Sequence, residues 1–257
     1  MGLRWLPGLL LGFAKASALG FAKASALAVA SASALAVASS SALAGGFSVL
    51  PTRVQLGSDR GVQSVLLTNT SSQTVTVESQ VLVWPEGAGG QQASDVVVTP
   101  AVLTLPPGQR MRVRIGLLRA GDGKAERAYR LYFTELPAPA PLQAAGIGVR
   151  LRIGIPIFVA PQQADPQSLR WQLQPSGTGL EIEAHNPGNV HARIADARLV
   201  AGTDAAALTL ASPYVLAGAR VRLPMPTALA NPPTAASALR VRWMDGDDAR
   251  DGALAAP

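Results

Sequence analysis

His185 and His191 stand six residues apart in the segment HNPGNVH. Across a Pro-Gly turn, two imidazoles at that spacing could face each other on a hairpin and begin a metal site. A closed site needs about four ligands, and no further ligand lies near them in a chain without cysteine. The expectation is two turn or surface histidines and no metal. Nucleophilic chemistry fares no better. The serines lack a G-x-S-x-G elbow, and no paired carboxylates stand out. The glycines of AGDGKAE have neither P-loop spacing nor a following helix. Asn69-Thr70-Ser71 fits a glycosylation sequon, a motif that any turn can produce. No catalytic residue, cofactor or small-molecule substrate is expected, so the chain reads as a non-enzyme.

Charge narrows the partners. The 257 residues carry a formal charge of +6. Three of the basic residues, Arg4, Lys15 and Lys23, fall in the first 44 positions, which hold no acid; beyond them stand 19 basic and 16 acidic residues. Lys124 is then the only lysine. With no basic block and no aromatic-basic interleaving, nucleic-acid binding is not expected.

Residues 1–44 read as a signal peptide. They open with Arg4 and continue through an Ala/Leu/Val/Ser stretch to the small-x-small site Ala42-Leu43-Ala44. The uncharged stretch is short and weakly apolar for a membrane span of about 20 residues. An exact repeat, Gly12–Leu19 and Gly20–Leu27, lies within this leader and carries no functional reading. Export is compatible with a fold that uses no disulfides.

From Phe47 onward the elements that must position any site read as short alternating strands, with no helical period. FSVLPTRVQL is the first, followed by Val62–Asn69, Thr74–Trp84, Asp95–Pro100, Leu103–Leu118 split by Pro106-Pro107-Gly108, and Arg127–Leu136. Seven strands in about 115 residues fit an immunoglobulin-like sandwich. The Pro/Gln-rich stretch Ala160–Ser168 reads as a linker. A second, smaller all-β domain follows, and its end, GDDARDGALAAP, reads as a frayed tail. The expected division is a leader over 1–44, a first domain over 45–160 and a second over 161–257.

The last strand of the first domain is unusual. In GIGVRLRIGIPIFVAP, Gly146–Pro161, the odd positions are Ile147, Val149, Leu151, Ile153, Ile155, Ile157 and Val159. Typical strands have about five to six residues. Pro156 has no N–H to give a ladder, which confines its part of the strand to an edge or a bulge. One reading is a central strand of its own sandwich. The other is a strand lent to a partner's sheet, with alternate side chains filling the partner's pockets.

The order and spacing of PTRVQL, LTNTSSQTVTVESQVLVW, VTPAVLTLPPGQRMRVRI, YRLYFTELP and RIGIPIFVAP, then LEIEAHNPGNVHARI and YVLAGARVRL, resemble those of periplasmic pilus-assembly chaperones of the chaperone–usher pathway, PapD-like in the wide sense. The YRLYFTELP and IPIFVAP forms are most similar to the archaic or alternative branch. The resemblance implies two immunoglobulin-like sandwiches set at an angle, as in a boomerang. It implies a periplasmic protein that caps incomplete pilin subunits by donor-strand complementation and passes them to an outer-membrane usher. Ile147, Val149, Leu151 and Ile153 would be donated, while Ile155, Ile157 and Val159 would anchor the strand at home. Arg53 would hold the subunit's C-terminal carboxylate, a task suited to a guanidinium's paired N–H groups. The family's second anchor, a lysine, aligns with Pro156, which cannot serve. Either Arg53 acts alone or Arg130 or Arg152 takes over, with Arg130 preferred. The same edge would leave a free protein open to capping itself as a homodimer. The competing class is a secreted two-domain immunoglobulin-like binding or adhesion module.

Overall fold

A computed structural model describes residues 46–59, 61–85, 90–137, 149–177, 179–210, 212–226 and 239–256. The expected signal peptide and Ile147 lie outside them. The described residues are all β, with no helix.

The first nine strands are β1 (Phe47–Leu50), β2 (Val54–Leu56), β3 (Val62–Asn69), β4 (Val75–Val83), β5 (Val96–Thr99), β6 (Val102–Leu105), β7 (Arg110–Leu117), β8 (Arg127–Glu135) and β9 (Arg152–Val159). They form two sheets, ordered β1-β3-β7-β5 and β2-β9-β8-β4-β6. Period-two alternation turns one face of each sheet inward. Val65, Leu67, Val113 and Ile115 from one sheet and Val77, Leu131, Phe133 and Ile157 from the other are all fully buried in one core. Each such side chain contributes about 1.5–3 kcal/mol by leaving water.

Nine strands replace the seven expected, partly because FSVLPTRVQL divides. Its first half joins β3, and its second half pairs parallel to β9 in the opposite sheet. The segment Pro51–Arg53 carries the chain across, and Pro51 has no N–H to lose there.

The second core draws on β10 (Arg170–Ser176), β11 (Gly179–His185), β12 (Ala192–Arg193), β13 (Ala195–Ala201), β14 (Asp204–Ala207), β15 (Tyr214–Val215), β16 (Arg220–Pro224), β17 (Leu239–Asp245) and β18 (Asp248–Ala255). Here the expectation of a frayed tail fails. Asp248–Ala253 pairs with β17 across a tight turn in which Gly246 has φ 66°, and Leu254 and Ala255 then run parallel to β10. Leu254 is 2% exposed. The polar stretch DDARD disguised a strand that lies inside the sheet, between β17 and β10, and whose single deep anchor, Leu254, stands next to its last residue.

One polar device closes a corner in each half. The Asn69 amide donates to Gln73 O and Leu105 O at 2.7 and 2.8 Å, while its oxygen accepts the Ser71 N–H at 2.8 Å. The Asn186 amide donates to Val190 O and Val215 O at 2.8 and 3.0 Å, and its oxygen accepts the Gly188 N–H at 3.0 Å. Asn69 is 1% exposed, so the sequon's asparagine is a structural residue of the folded chain.

Candidate functional site

The site is built around β9. The Glu135 N–H donates to Leu151 O at 2.9 Å, and on the other side the Ala160 N–H donates to Leu56 O at 3.0 Å. By the alternation of an antiparallel ladder, odd positions of β9 bond to β8 and even positions point the other way. On that other side β2 covers only Ile157–Val159. Among the described residues, no strand therefore pairs with the outward peptide groups of Arg152 and Gly154. Pro156 is even-numbered, so its missing N–H takes nothing from the β8 ladder. The strand is central over its last three residues and, among the described residues, paired on one side only before them; the first part has the environment that the central-strand reading expects, and the second the one-sided pairing that a lent strand would need.

Side-chain burial follows the same division. Ile155, Ile157 and Val159 are 3%, 0% and 1% exposed. Ile153 and Leu151 are half-buried at the end of the core. Val149 is 74% exposed. β9 begins at Arg152, so Val149 and Leu151 precede the regular strand rather than lying in it, although Leu151 still pairs with Glu135.

Two of the three candidate arginines meet at Pro156. Arg130 is its ladder partner on β8. Arg53 directly precedes Val54, the partner of Ile157 on β2. The two guanidinium-bearing residues thus flank the proline from opposite sides, on backbones about 10 Å apart. Arg53 is exposed and makes no hydrogen bond or ion pair among the described residues. The Arg130 guanidinium lies over the Trp84 ring, 4.2 Å from its centroid. Arg152 stands apart, over the Tyr132 ring at 3.8 Å. It is about 13 Å along β9 from Pro156. Gly154 makes that contact feasible, because a Cβ there would sit 2.7 Å from the Tyr132 ring.

Sequence reasoning missed the aromatic cluster beside Pro156. Phe158 is fully buried although it shares the outward face of β9 with Arg152. Its ring stacks on His191 at 3.7 Å and 12°, and Trp84 and Tyr214 close around it at 6.0 and 5.3 Å. His191 is held in turn by Glu126, whose Oε1 accepts the His191 N–H at 3.0 Å and lies 2.7 Å from Nδ1. Asn189 adds amide bonds to Lys124 O and Gln163 O at 2.9 and 2.8 Å. The available signal was Phe158 itself, a large apolar residue on the face otherwise given to Gly and Arg.

The histidines do not meet as a pair. His185 lies in the β11 ladder between Arg170 and Arg220. Desolvation and those two guanidiniums pull its imidazole below the ordinary value. Among the described residues no cluster of His, Asp and Glu is arranged to hold a metal. Nearby, Asp95 accepts hydrogen bonds from Arg127 and from the Tyr129 hydroxyl, the latter at 2.6 Å. Burial, with Asp95 alongside, pushes the Tyr129 phenol far above its usual range. These groups fix the start of β8, and with it the level of Arg130.

Residues 46–165 match the family of pili and flagellar-assembly chaperones, PapD N-terminal domain. No curated protein matches the chain in sequence. Among solved structures, the CsuC–CsuE chaperone–tip adhesion subunit complex from archaic Csu pili of Acinetobacter baumannii is similar at 18% identity and TM-score 0.60, covering 82% of this chain and 99% of that one. The CupB2 chaperone of Pseudomonas aeruginosa gives 20% identity and TM-score 0.56, covering 80% and 100%. The SafA pilin–SafB chaperone complex of Salmonella enterica gives 18% and 0.56, covering 77% and 88%. These likenesses show the fold, two immunoglobulin-like sandwiches, and the family match assigns residues 46–165, the first sandwich, to the PapD N-terminal domain of pili and flagellar-assembly chaperones.

Proposed function

We propose that this chaperone captures pilin subunits in the periplasm by adding the open edge of β9 and the residues before it to an incomplete subunit sheet. The observation that carries this reading is the divided strand. Ile155, Ile157 and Val159 are committed to their own core, whereas Val149 stands exposed ahead of them and, among the described residues, no second strand pairs with β9 at Arg152 and Gly154. Strand addition needs such an edge for main-chain bonds and alternate side chains for specificity. Ile147, Val149, Leu151 and Ile153 are the donated residues. Similar chaperones were solved in complex with a tip adhesion subunit and with a pilin, which supports the choice of partner.

Arg53 and Arg130 bind the subunit's terminal carboxylate around Pro156. Arg130 takes the place of the lysine that the proline displaced, and Arg152, four residues away, acts along the donated segment instead. We further infer that residues 1–44 are removed on export, that 45–160 and 161–257 are the two domains, that the protein serves an archaic-type pilus, and that an outer-membrane usher receives its subunits. A homodimer through the same edge would protect it between clients. Val149→Asp should leave the melting temperature within about 2 °C of the parent, because the side chain is already in water. It should also abolish recovery of a subunit complex from periplasm. Recovery of that complex at the parent level would contradict the reading.

A further inference from the structure

The outer face of the β1-β3-β7-β5 sheet carries a charge pattern that subunit capture does not use. In RMRVR of β7 the side chains of Arg110, Arg112 and Arg114 all point outward and are exposed. They form a row with about 7 Å between neighbours. Their ladder partners on β3 are Thr68, Leu66 and Ser64, and Thr99 on β5 flanks Arg114. None of the three arginines makes a hydrogen bond or ion pair among the described residues.

The second half of the chain shows that this is not the only arrangement available to such a row. Arg110 and Arg112 stand two and four residues after Gly108, and Arg220 and Arg222 stand two and four after Gly218, at matching turns. There the carboxylate of Glu183, the ladder partner of Arg222, meets both guanidiniums at 3.3 and 3.5 Å. The corresponding partner of Arg112 is Leu66. Where the second sandwich places an acid, the first places an alkyl side chain. Further along the same face Val62 and Val97 are 68% and 41% exposed, on either side of Gly116.

We propose that this face docks the protein on an anionic phospholipid surface. Guanidiniums suit phosphate through paired N–H groups. Apolar side chains standing level with the row can enter the headgroup zone, and a sheet face is broad enough to lie on a bilayer. A hydrated acidic polypeptide would use the charges and leave Leu66, Val62 and Val97 without a role. Attraction of roughly five-fold per basic residue gives about 100-fold for three.

The test is co-sedimentation of the mature protein with vesicles of phosphatidylethanolamine and phosphatidylglycerol, against vesicles of phosphatidylcholine, at low and at physiological salt. Binding should require phosphatidylglycerol. It should fall about 100-fold in Arg110→Gln/Arg112→Gln/Arg114→Gln, and about 5-fold or more in Leu66→Glu, which copies the neutralised arrangement of the second sandwich. Arg170→Gln/Arg193→Gln/Arg198→Gln removes the same net charge elsewhere and should bind like the parent. Equal binding to both vesicle types, parent-like binding by the β7 variant, or loss in the control variant would overturn the proposal. So would binding to poly-glutamate with no binding to vesicles.

Discussion

At the scale of single residues, three guanidiniums that look interchangeable in the sequence occupy different environments. Arg53 is exposed and without a partner among the described residues, Arg130 is pinned on Trp84, and Arg152 rests on Tyr132. A cation on an aromatic face keeps its charge while losing rotamer freedom, so Arg130 and Arg152 are both held in place, and only Arg130 is held beside Pro156. Arg53→Ala and Arg130→Ala should each weaken subunit binding by about 2–5 kcal/mol, as expected for removing one partner of a desolvated charge pair. Arg152→Ala should cost under about 1 kcal/mol. Competition binding with a pilin C-terminal peptide reads all three, and an Arg152 effect as large as the Arg130 effect would reverse the assignment. His191 makes a different kind of residue prediction. Its removal leaves the Glu126 carboxylate, 2% exposed, without its imidazole partner. His191→Ala should therefore lower stability by about 1–3 kcal/mol, seen as a lower Tm, and an unchanged melt would mean the contact carries no weight. The role proposed for Arg53 comes from the likeness of PTRVQL to the family; the preference for Arg130 over Arg152 came from the same likeness, and the β8–β9 register, which no single-strand pattern contains, adds that Arg130 is the ladder partner of Pro156.

At the scale of elements, alternation located most strands and misjudged those whose partner lies far along the chain. Val62–Asn69 is a strand with the expected bounds, because both its faces have ordinary environments. FSVLPTRVQL read as one strand because each half alternates; only the neighbours reveal that the halves belong to opposite sheets. The C-terminal segment read as frayed because charge dominates DDARD, yet Asp248, Arg250 and Asp251 keep their side chains exposed on a strand that lies between β17 and β10, and Leu254 enters the core. Leu254→Ala should cost about 2–5 kcal/mol. Deleting residues 248–257 should unfold the second core while the first remains, measured as loss of the Trp171 and Trp243 near-ultraviolet signal. Retention of that signal would mean β18 is dispensable. In β9, the change from exposed Val149 to buried Ile157 predicts opposite outcomes for one substitution. Ile157→Asp should prevent folding of the first core, where Val149→Asp leaves it intact.

At the scale of the molecule, the fold was legible because two sandwiches of alternating strands leave their period on the chain. The open edge of β9 was legible only in outline, from an apolar run too long for one sheet and a proline within it. What the sequence withheld is the device that joins these features. Phe158, on the strand's outward face, is clasped by His191 and Tyr214, so β9 is fixed at its end and, among the described residues, paired on one side only at its beginning. A strand held at one end and open at the other is organised before a partner arrives, which lowers the ordering cost of binding. The central claim is that this edge is empty in the free protein and filled by the client. Amide hydrogen exchange tests it residue by residue, on the monomer and on a purified chaperone–pilin complex. Ile155 and Ile157, bonded to β8, should be protected in both. Arg152 and Gly154 should exchange within seconds in the monomer and become protected in the complex. Protection of Arg152 and Gly154 in the monomer, or rapid exchange at both positions in the complex, would contradict the account.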